Sequence, residues 1–370
     1  MKILFISHAM VVDLYRERVL FFEKSASNKI LVVVPTKWKE AGQIIRASRN
    51  GVNLKKLNTI RFWGFHGATF LYGISLIKYI KSFKPDIIHV EEEYYSLALF
   101  QVVLLRNLFS PQSKVVFFTW QNIFKKYLSP FNLIESFVFK HVQAAIAGNN
   151  DAMNVLKKKG FSKHVALIPQ VGVNPKLLQN EKTSNTRKGK LRIGYIGRVE
   201  RSKGLDTLLF ALKEVKNHFD LMIVGNGSYK KKLQQLSDKL RISANIKFVE
   251  AVRHSEIPIY LGKIDILVLP SQTTRSWKEQ FGRILVEAMA VGIPVIGSTS
   301  GAIPEVIGDA GLTFQENSVK DLQMKLKNLY DNAELRRDLS ERGIKRVLSN
   351  YTISSISEKT LHFYEQISEN

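Results

Sequence analysis

RIGYIGRVERSKG, residues 192–204, is the stretch whose reading settles the fold. Ile193, Tyr195 and Ile196, spaced by glycine, read as a short buried strand. A polar turn from Arg198 to Gly204 follows, and Leu205 opens a helical stretch. Strand, turn and helix in that order begin a βαβ unit. The alternation continues downstream at LMIVG (221–225), IKFV (246–249), DILVL (265–269) and PVI (294–296). It has already run once upstream, at KILFIS (2–7), ILVVVP (30–35), DIIHV (86–90), VVFFT (115–119), AAIA (144–147) and VALIP (165–169). Runs that are apolar throughout belong to parallel sheets covered on both faces. Between the two series lies QNEKTSNTRKGK (179–190), which has no bulky apolar residue and reads as an interdomain loop. The expected fold is α/β, with two doubly wound Rossmann-like domains at 1–175 and 191–350. A linker occupies 176–190, and a C-terminal helix at 351–370 packs back toward the first domain. Ligands in such sheets bind beyond the carboxyl ends of the strands, which puts the default site in a cleft between facing domains.

Composition narrows the function. A chain of 370 residues exceeds the ~250–300 that one core sustains. The absence of Cys removes disulfides, thiolate nucleophiles and Cys-ligated metal centres. The opening apolar run ends at His8, short of the ~7–15 residues of a secretory core. The 16 uncharged residues from Phe62 to Ile77 contain three glycines and fall short of the ~20 that span a membrane. The expectation is a cytoplasmic protein, and its charge allows peripheral attachment to the inner face of the membrane. That charge, 55 Lys plus Arg against 32 Asp plus Glu for a net +23, has three competing causes: nucleic acid, an anionic membrane surface or a polyphosphate ligand. Residues 1–175 hold 24 basic against 10 acidic side chains, a net +14. Basic and aromatic residues alternate there at 77–84, 124–131 and 137–140, the composition of a membrane-surface patch or of core aromatics beside solvated lysines.

The chemistry concentrates in PSQTTRSWKEQFGRILVEAMAVGIPVIGSTSGAIPE (270–305). A strand ends at Pro270 and a helix begins near Phe281 and Gly282. Glu279 precedes the helix and Glu287 lies inside it. Backbone N–H groups around Phe281, Gly282 and Arg283 would attract an anion, because a helix N-terminus carries unpaired donors and partial positive charge. Carboxylates beside an anion site suit hydroxyls, so a phosphorylated, hydroxyl-rich ligand such as a nucleotide sugar satisfies both. Arg198 and Lys203, in the turn after the 192–197 strand, would clamp a diphosphate and neutralise charge on a departing nucleotide. VGNGS (224–228) adds Gly225 and Gly227, which permit close backbone approach to a ligand or make a tight turn.

Taken together, IGRVERSKGLD beginning at Ile196, VGNGS, the E-x7-E pair Glu279 and Glu287 within EQFGRILVEAMAVGIPVIGS, and SGAIPEVI resemble the retaining glycosyltransferases of family 4, which have the GT-B fold. The resemblance covers residues 190–310 in detail, and IPQVGVNP (168–175) resembles the family's passage into its second domain. It implies that Arg198 and Lys203 bind the donor diphosphate with Gly197 beside them, that Glu279 binds the transferred sugar, and that Glu287 binds the ribose. It further implies that the backbone at Phe281, Gly282, Arg283, Ile284 and Leu285 contacts phosphate or sugar, and that Val252 and Arg253 face the base. It implies no metal and no cofactor beyond the nucleotide diphosphate sugar, and the sequence holds no Asp-x-Asp pair. The implied acceptor is a glycan or lipid-linked hydroxyl. His8, Glu91 and Glu93 stand at strand ends on that side, and Gln121 and Asn122 occupy the place of a His that many members carry. The bland readings of His8 and of the acidic run 91–93 are a loop histidine and a solvated charge cluster. The chain also departs from the family's paired glycines after the first strand, having SHAM at 7–10. Two other functions compete: a sugar-nucleotide epimerase of the same architecture, and a basic nucleic-acid-binding protein suggested by 157–159 and 230–232, for which no specific binding motif is present.

Overall fold

The structure, a computed structural model, describes residues 1–23, 28–40, 43–48, 52–62, 67–178, 190–215 and 218–369. Of the expected linker, 176–178 lie in a short helix, Pro175–Leu178, and 179–189 fall outside the described residues. The chain forms two compact units, Met1–Gly172 with Ile353–Asn370, and Val173–Thr352.

The first unit is built on a seven-stranded parallel sheet in the order His164–Leu167, Ala144–Ala147, Lys114–Thr119, Ile87–Glu91, Lys2–Ser7, Lys29–Pro35, Leu54–Leu57. Alternation along each strand divides its apolar residues between two cores. Leu4, Ile6, Leu31, Val33, Ile88 and Val90 enter one, while Ile3, Phe5, Ile30, Val32, Val34 and Ile87 enter the other. Each such side chain removed from water contributes ~1.5–3 kcal/mol before entropy is set against it. Ser96 and Asn149 cap the helices Leu97–Phe109 and Asn150–Lys158 by accepting from the N–H groups of Leu99 and Ala152. The edge strand Leu54–Leu57 escapes sequence reading because its LKKL is half charged, as an edge position tolerates.

The second unit carries a six-stranded parallel sheet, ordered Ile246–Val249, Phe219–Val224, Leu191–Ile196, Ile266–Leu269, Val295–Ser298, Leu312–Phe314. In both sheets the chain winds outward one way, then returns to lay a strand on the other side of the first. The switch falls between Lys2–Ser7 and Ile87–Glu91 in one unit, and between Leu191–Ile196 and Ile266–Leu269 in the other. Loops that leave adjacent strand ends in opposite directions open a crevice there.

The last helix, Ile353–Glu369, packs on Asp13–Glu23 in the first unit. Tyr364 hydrogen-bonds His89 beneath it, beside an ion pair between Arg18 and Glu91. All four side chains are buried, and burial lowers the Arg18 pKa to about 10. Removing one partner strands a buried charge, so Arg18→Met should destabilise the protein by ~3–5 kcal/mol in urea unfolding, and adding Glu91→Met should recover most of that loss.

Candidate functional site

In the second unit the two loops at the switch point meet. Gly204 has φ +65°, and a Cβ there would lie 1.9 Å from the Pro270 carbonyl oxygen, so glycine lets the 198–204 turn press against the 270 loop. Lys203 thereby reaches Glu279, with Nζ 2.7 Å from Oε2, and Ser271 Oγ donates to the same oxygen at 2.8 Å. The Trp277 ring lies under the Lys203 ammonium, 4.3 Å from centroid to Nζ. Both charged side chains are about nine-tenths shielded from solvent, and the pair holds each in place.

Gly282 caps the following helix, Arg283–Ala290, in a left-handed conformation. The N–H groups of Gly282, Arg283 and Ile284 have no backbone acceptor among the described residues. The Leu285 N–H does, donating to the Gly282 carbonyl at 2.8 Å, so its amide is not available to a ligand as expected. Phe281 packs on Tyr351. Glu287 is buried, and its Oε1 accepts from Arg283 Nε (2.6 Å) and contacts His254 Nε2 (2.7 Å). Its Oε2 has no partner among the described residues. Val252 and Arg253 immediately precede His254, and Arg253 is tied to Glu256. Arg198 is exposed in the same turn as Lys203, with no ion pair among the described residues. Gly225 and Gly227 serve loop packing, since Cβ atoms there would meet the carbonyls of Gly197 and Val199 at 1.9 and 2.2 Å.

In the first unit the switch point joins His8 to Glu92, the middle residue of the acidic run 91–93. Glu92 accepts from the His8 N–H (3.0 Å) and the Tyr72 hydroxyl (3.1 Å), and lies 2.7 Å from His8 Nδ1. The acidic run 91–93 is therefore not a solvated cluster. Glu91 pairs with Arg18 and Glu92 with His8, while Glu93 accepts from the Trp120 N–H and the Thr119 hydroxyl. These strand ends border a cavity of about 420 Å³, which His8, Glu91 and Glu93 help to line. Gln121 and Asn122 do not line it. The Gln121 amide is spent on the Ile123 carbonyl and the Tyr95 hydroxyl, and Asn122 is buried. Trp120 and Gln170, which do line it, were not anticipated.

The basic, aromatic stretches divide. Tyr79, Phe83, Tyr127, Phe131, Phe137 and Phe139 pack on the core, while Phe124, Lys125, Lys126, Leu128 and Leu133 are exposed. No helix among the described residues is long and apolar enough to cross a membrane.

Residues 178–346 match the family described as glycosyl transferases group 1. An uncharacterized glycosyltransferase of Methanocaldococcus jannaschii is 30% identical over 210 residues, 56% of this chain and 55% of that one. A GDP-mannose-dependent monoacylated alpha-(1-6)-phosphatidylinositol monomannoside mannosyltransferase of Corynebacterium glutamicum is 30% identical over 168 residues, 44% of each chain. The chain spans about half the length of these curated relatives. The solved structure of Anabaena HepE in complex with UDP aligns over 99% of this chain and 100% of that one, with a TM-score of 0.76 at 16% identity. That likeness shows the fold to be the α/β, GT-B arrangement of Rossmann-like domains which the sequence predicts.

Burial pushes the Glu93 carboxyl up to about 7, against the opposing hydrogen bonds from Thr119 and Trp120. A raised folded-state pKa stabilises fully below the ordinary value of 4.5, and that stability is lost as pH rises through 7. Relative to wild type, Glu93→Gln should therefore gain stability between pH 5 and pH 7 and hold the gain above it. Urea midpoints that kept the same difference at pH 5 and pH 8 would contradict the assignment.

Proposed function

We propose that the chain is a retaining glycosyltransferase that moves a hexose-type sugar from a nucleotide diphosphate sugar to an acceptor hydroxyl. The observation that carries the proposal is the Lys203–Glu279 pair, set at the switch point beside a helix N-terminus whose leading N–H groups have no backbone acceptor among the described residues. The family match over 178–346, which contains the whole of that site, supports it, as does the nucleotide requirement in the name of the Corynebacterium relative.

In this reading the donor's diphosphate lies against the N–H groups of Gly282, Arg283 and Ile284, with Lys203 and Arg198 offsetting its charge. Glu279 receives hydroxyls of the sugar, and the open Oε2 of Glu287 receives a ribose hydroxyl. As the bond from the anomeric carbon to the phosphate oxygen breaks, its electron pair leaves with the nucleotide, where the two cations stabilise it. The acceptor oxygen bonds to the same carbon, and its proton passes to a phosphate oxygen. Arg198 and Lys203 then take the part that a divalent ion plays elsewhere. Glu279→Gln, Arg198→Ala and Lys203→Ala should each lower kcat by ~10²–10³, and Arg198→Ala, which breaks no ion pair among the described residues, should leave the thermal midpoint of the unliganded protein within a few degrees. A matched nucleotide sugar at 100 times its Kd should stabilise the wild type by ~2.7 kcal/mol. Near-normal turnover in all three variants, or loss of turnover on adding a chelator, would remove the reading, and an inverted product anomer would remove retention.

We further propose that the enzyme works peripherally at the cytoplasmic face of an anionic membrane. Exposed Phe124, Leu128 and Leu133 beside Lys125 and Lys126 support this. Co-sedimentation should be several-fold greater with phosphatidylglycerol vesicles than with phosphatidylcholine, and Lys126→Glu combined with Leu128→Asp should abolish the difference. Equal sedimentation with both lipids would exclude it.

A further inference from the structure

The 420 Å³ cavity of the first unit has the size of a small-molecule site. Three of its walls define what it accepts. The Trp120 indole rests on Gly148, where a Cβ would lie 2.2 Å from Cζ3, so only glycine leaves room for the ring in that pose. Its Nε1 donates to Gln170 Oε1 at 2.8 Å. The ring is thus pinned on a face and an edge before any ligand arrives, and ordering it adds little cost to binding. Gln170 is itself buried, and with its oxygen engaged its Nε2 has no acceptor among the described residues. Glu93 stands beside them, held by the Trp120 N–H and the Thr119 hydroxyl, with lone pairs to spare and no ion pair among the described residues.

An aromatic plate, an amide donor and a carboxylate acceptor within one cavity complement a pyranose, whose C–H face is apolar and whose edge carries hydroxyls that both donate and accept. Other ligands fit worse. A phosphate would meet Glu93, which has no ion pair among the described residues, and of the lining side chains only Lys125 and His8, already held by Glu92, could oppose that charge. An acyl chain would leave the Gln170 Nε2 donor unpaired, at ~1–3 kcal/mol. We propose that this cavity is a saccharide site that seats one sugar ring on Trp120, with its hydroxyls on Gln170 and Glu93. That the sugar belongs to the acceptor rests on the transfer proposed above, whereas saccharide binding itself does not.

Saturation-transfer NMR on the full chain tests this with methyl glycosides of glucose, galactose, mannose and N-acetylglucosamine as probes. At least one should receive saturation in the wild type, and Trp120→Ala and Gln170→Leu should each weaken its binding by roughly tenfold or more. Gln170→Leu keeps the volume filled, so it decides the matter if Trp120→Ala does not fold. Silence from all four glycosides, displacement of the bound one by inorganic phosphate, or equal binding in both folded variants would overturn the saccharide site. Calorimetry with UDP and GDP on the same proteins separates the two readings. Lys203→Ala should lose nucleotide and keep glycoside, and Gln170→Leu should do the reverse. Glycoside binding in a protein that takes no nucleoside diphosphate, ADP and dTDP included, would sink the transferase while leaving the cavity's assignment standing.

Discussion

Lys203 and Glu279 stand 76 residues apart and meet at 2.7 Å, and that contact is possible only because the sheet is parallel. Leu191–Ile196 and Ile266–Leu269 run side by side in one direction, so the loops that follow them leave from the same edge. One chain segment then winds toward Phe219–Val224 and the other toward Val295–Ser298, opening a gap that backbone alone does not fill. A lysine and a carboxylate placed there lose most of their water. Each would be costly alone, and together they are held in one geometry by Ser271 and Trp277. The other features follow. Gly204 is required by the closeness of the loops, and Arg283 and His254 hold Glu287 as the pair holds Glu279.

The first unit repeats the construction with different chemistry. Ser7 pairs with Glu91 in register, so the next residues, His8 and Glu92, are neighbours by necessity. What the loops carry separates the two sites. In the second unit the loops bring glycines, Arg198, Lys203 and a helix N-terminus, all suited to phosphate. In the first they bring Trp120, Gln170 and carboxylates, suited to hydroxyls. A transfer between a phosphorylated donor and a hydroxyl acceptor needs one site of each kind.

The sheets were legible because buried parallel strands are apolar throughout, and LMIVG or ILVVVP can hardly be anything else. Strands that lack that signature were not legible: Leu54–Leu57 is half charged, and Leu312–Phe314 is only three residues long. Glu279 and Glu287 could be found because their spacing is local to one loop and helix. His254 and Trp277 could not, since each acts by a side-chain contact across loops that no spacing encodes. The acidic run 91–93 misleads for a physical reason. Three adjacent glutamates suggest solvent, yet the strand ends at Glu91 and the turn beyond it sends the three to separate surroundings, where Arg18, His8 and the Trp120 amide receive one each. Lys159 misleads in the same way, ending a basic run but lying buried against Glu135 and the Tyr127 ring.

The surplus of positive charge remains, and screening limits what it can do. At physiological salt an exposed charge acts over ~8 Å, so a lysine on the surface of the first unit serves only what touches its own face. Nucleic acid and an anionic membrane both present phosphates at that range, and charge alone does not separate them. The neighbours of Lys125 and Lys126 do. Leu128 is 85% exposed and Leu133 64%, with Phe124 beside them. Aliphatic side chains gain nothing from a sugar-phosphate backbone, whereas at a bilayer surface each can leave water for the acyl boundary at ~25 cal/mol per Å² of apolar area. In the peripheral attachment proposed above, charge would bring this segment to any polyanion and its leucines would hold it only at a lipid one.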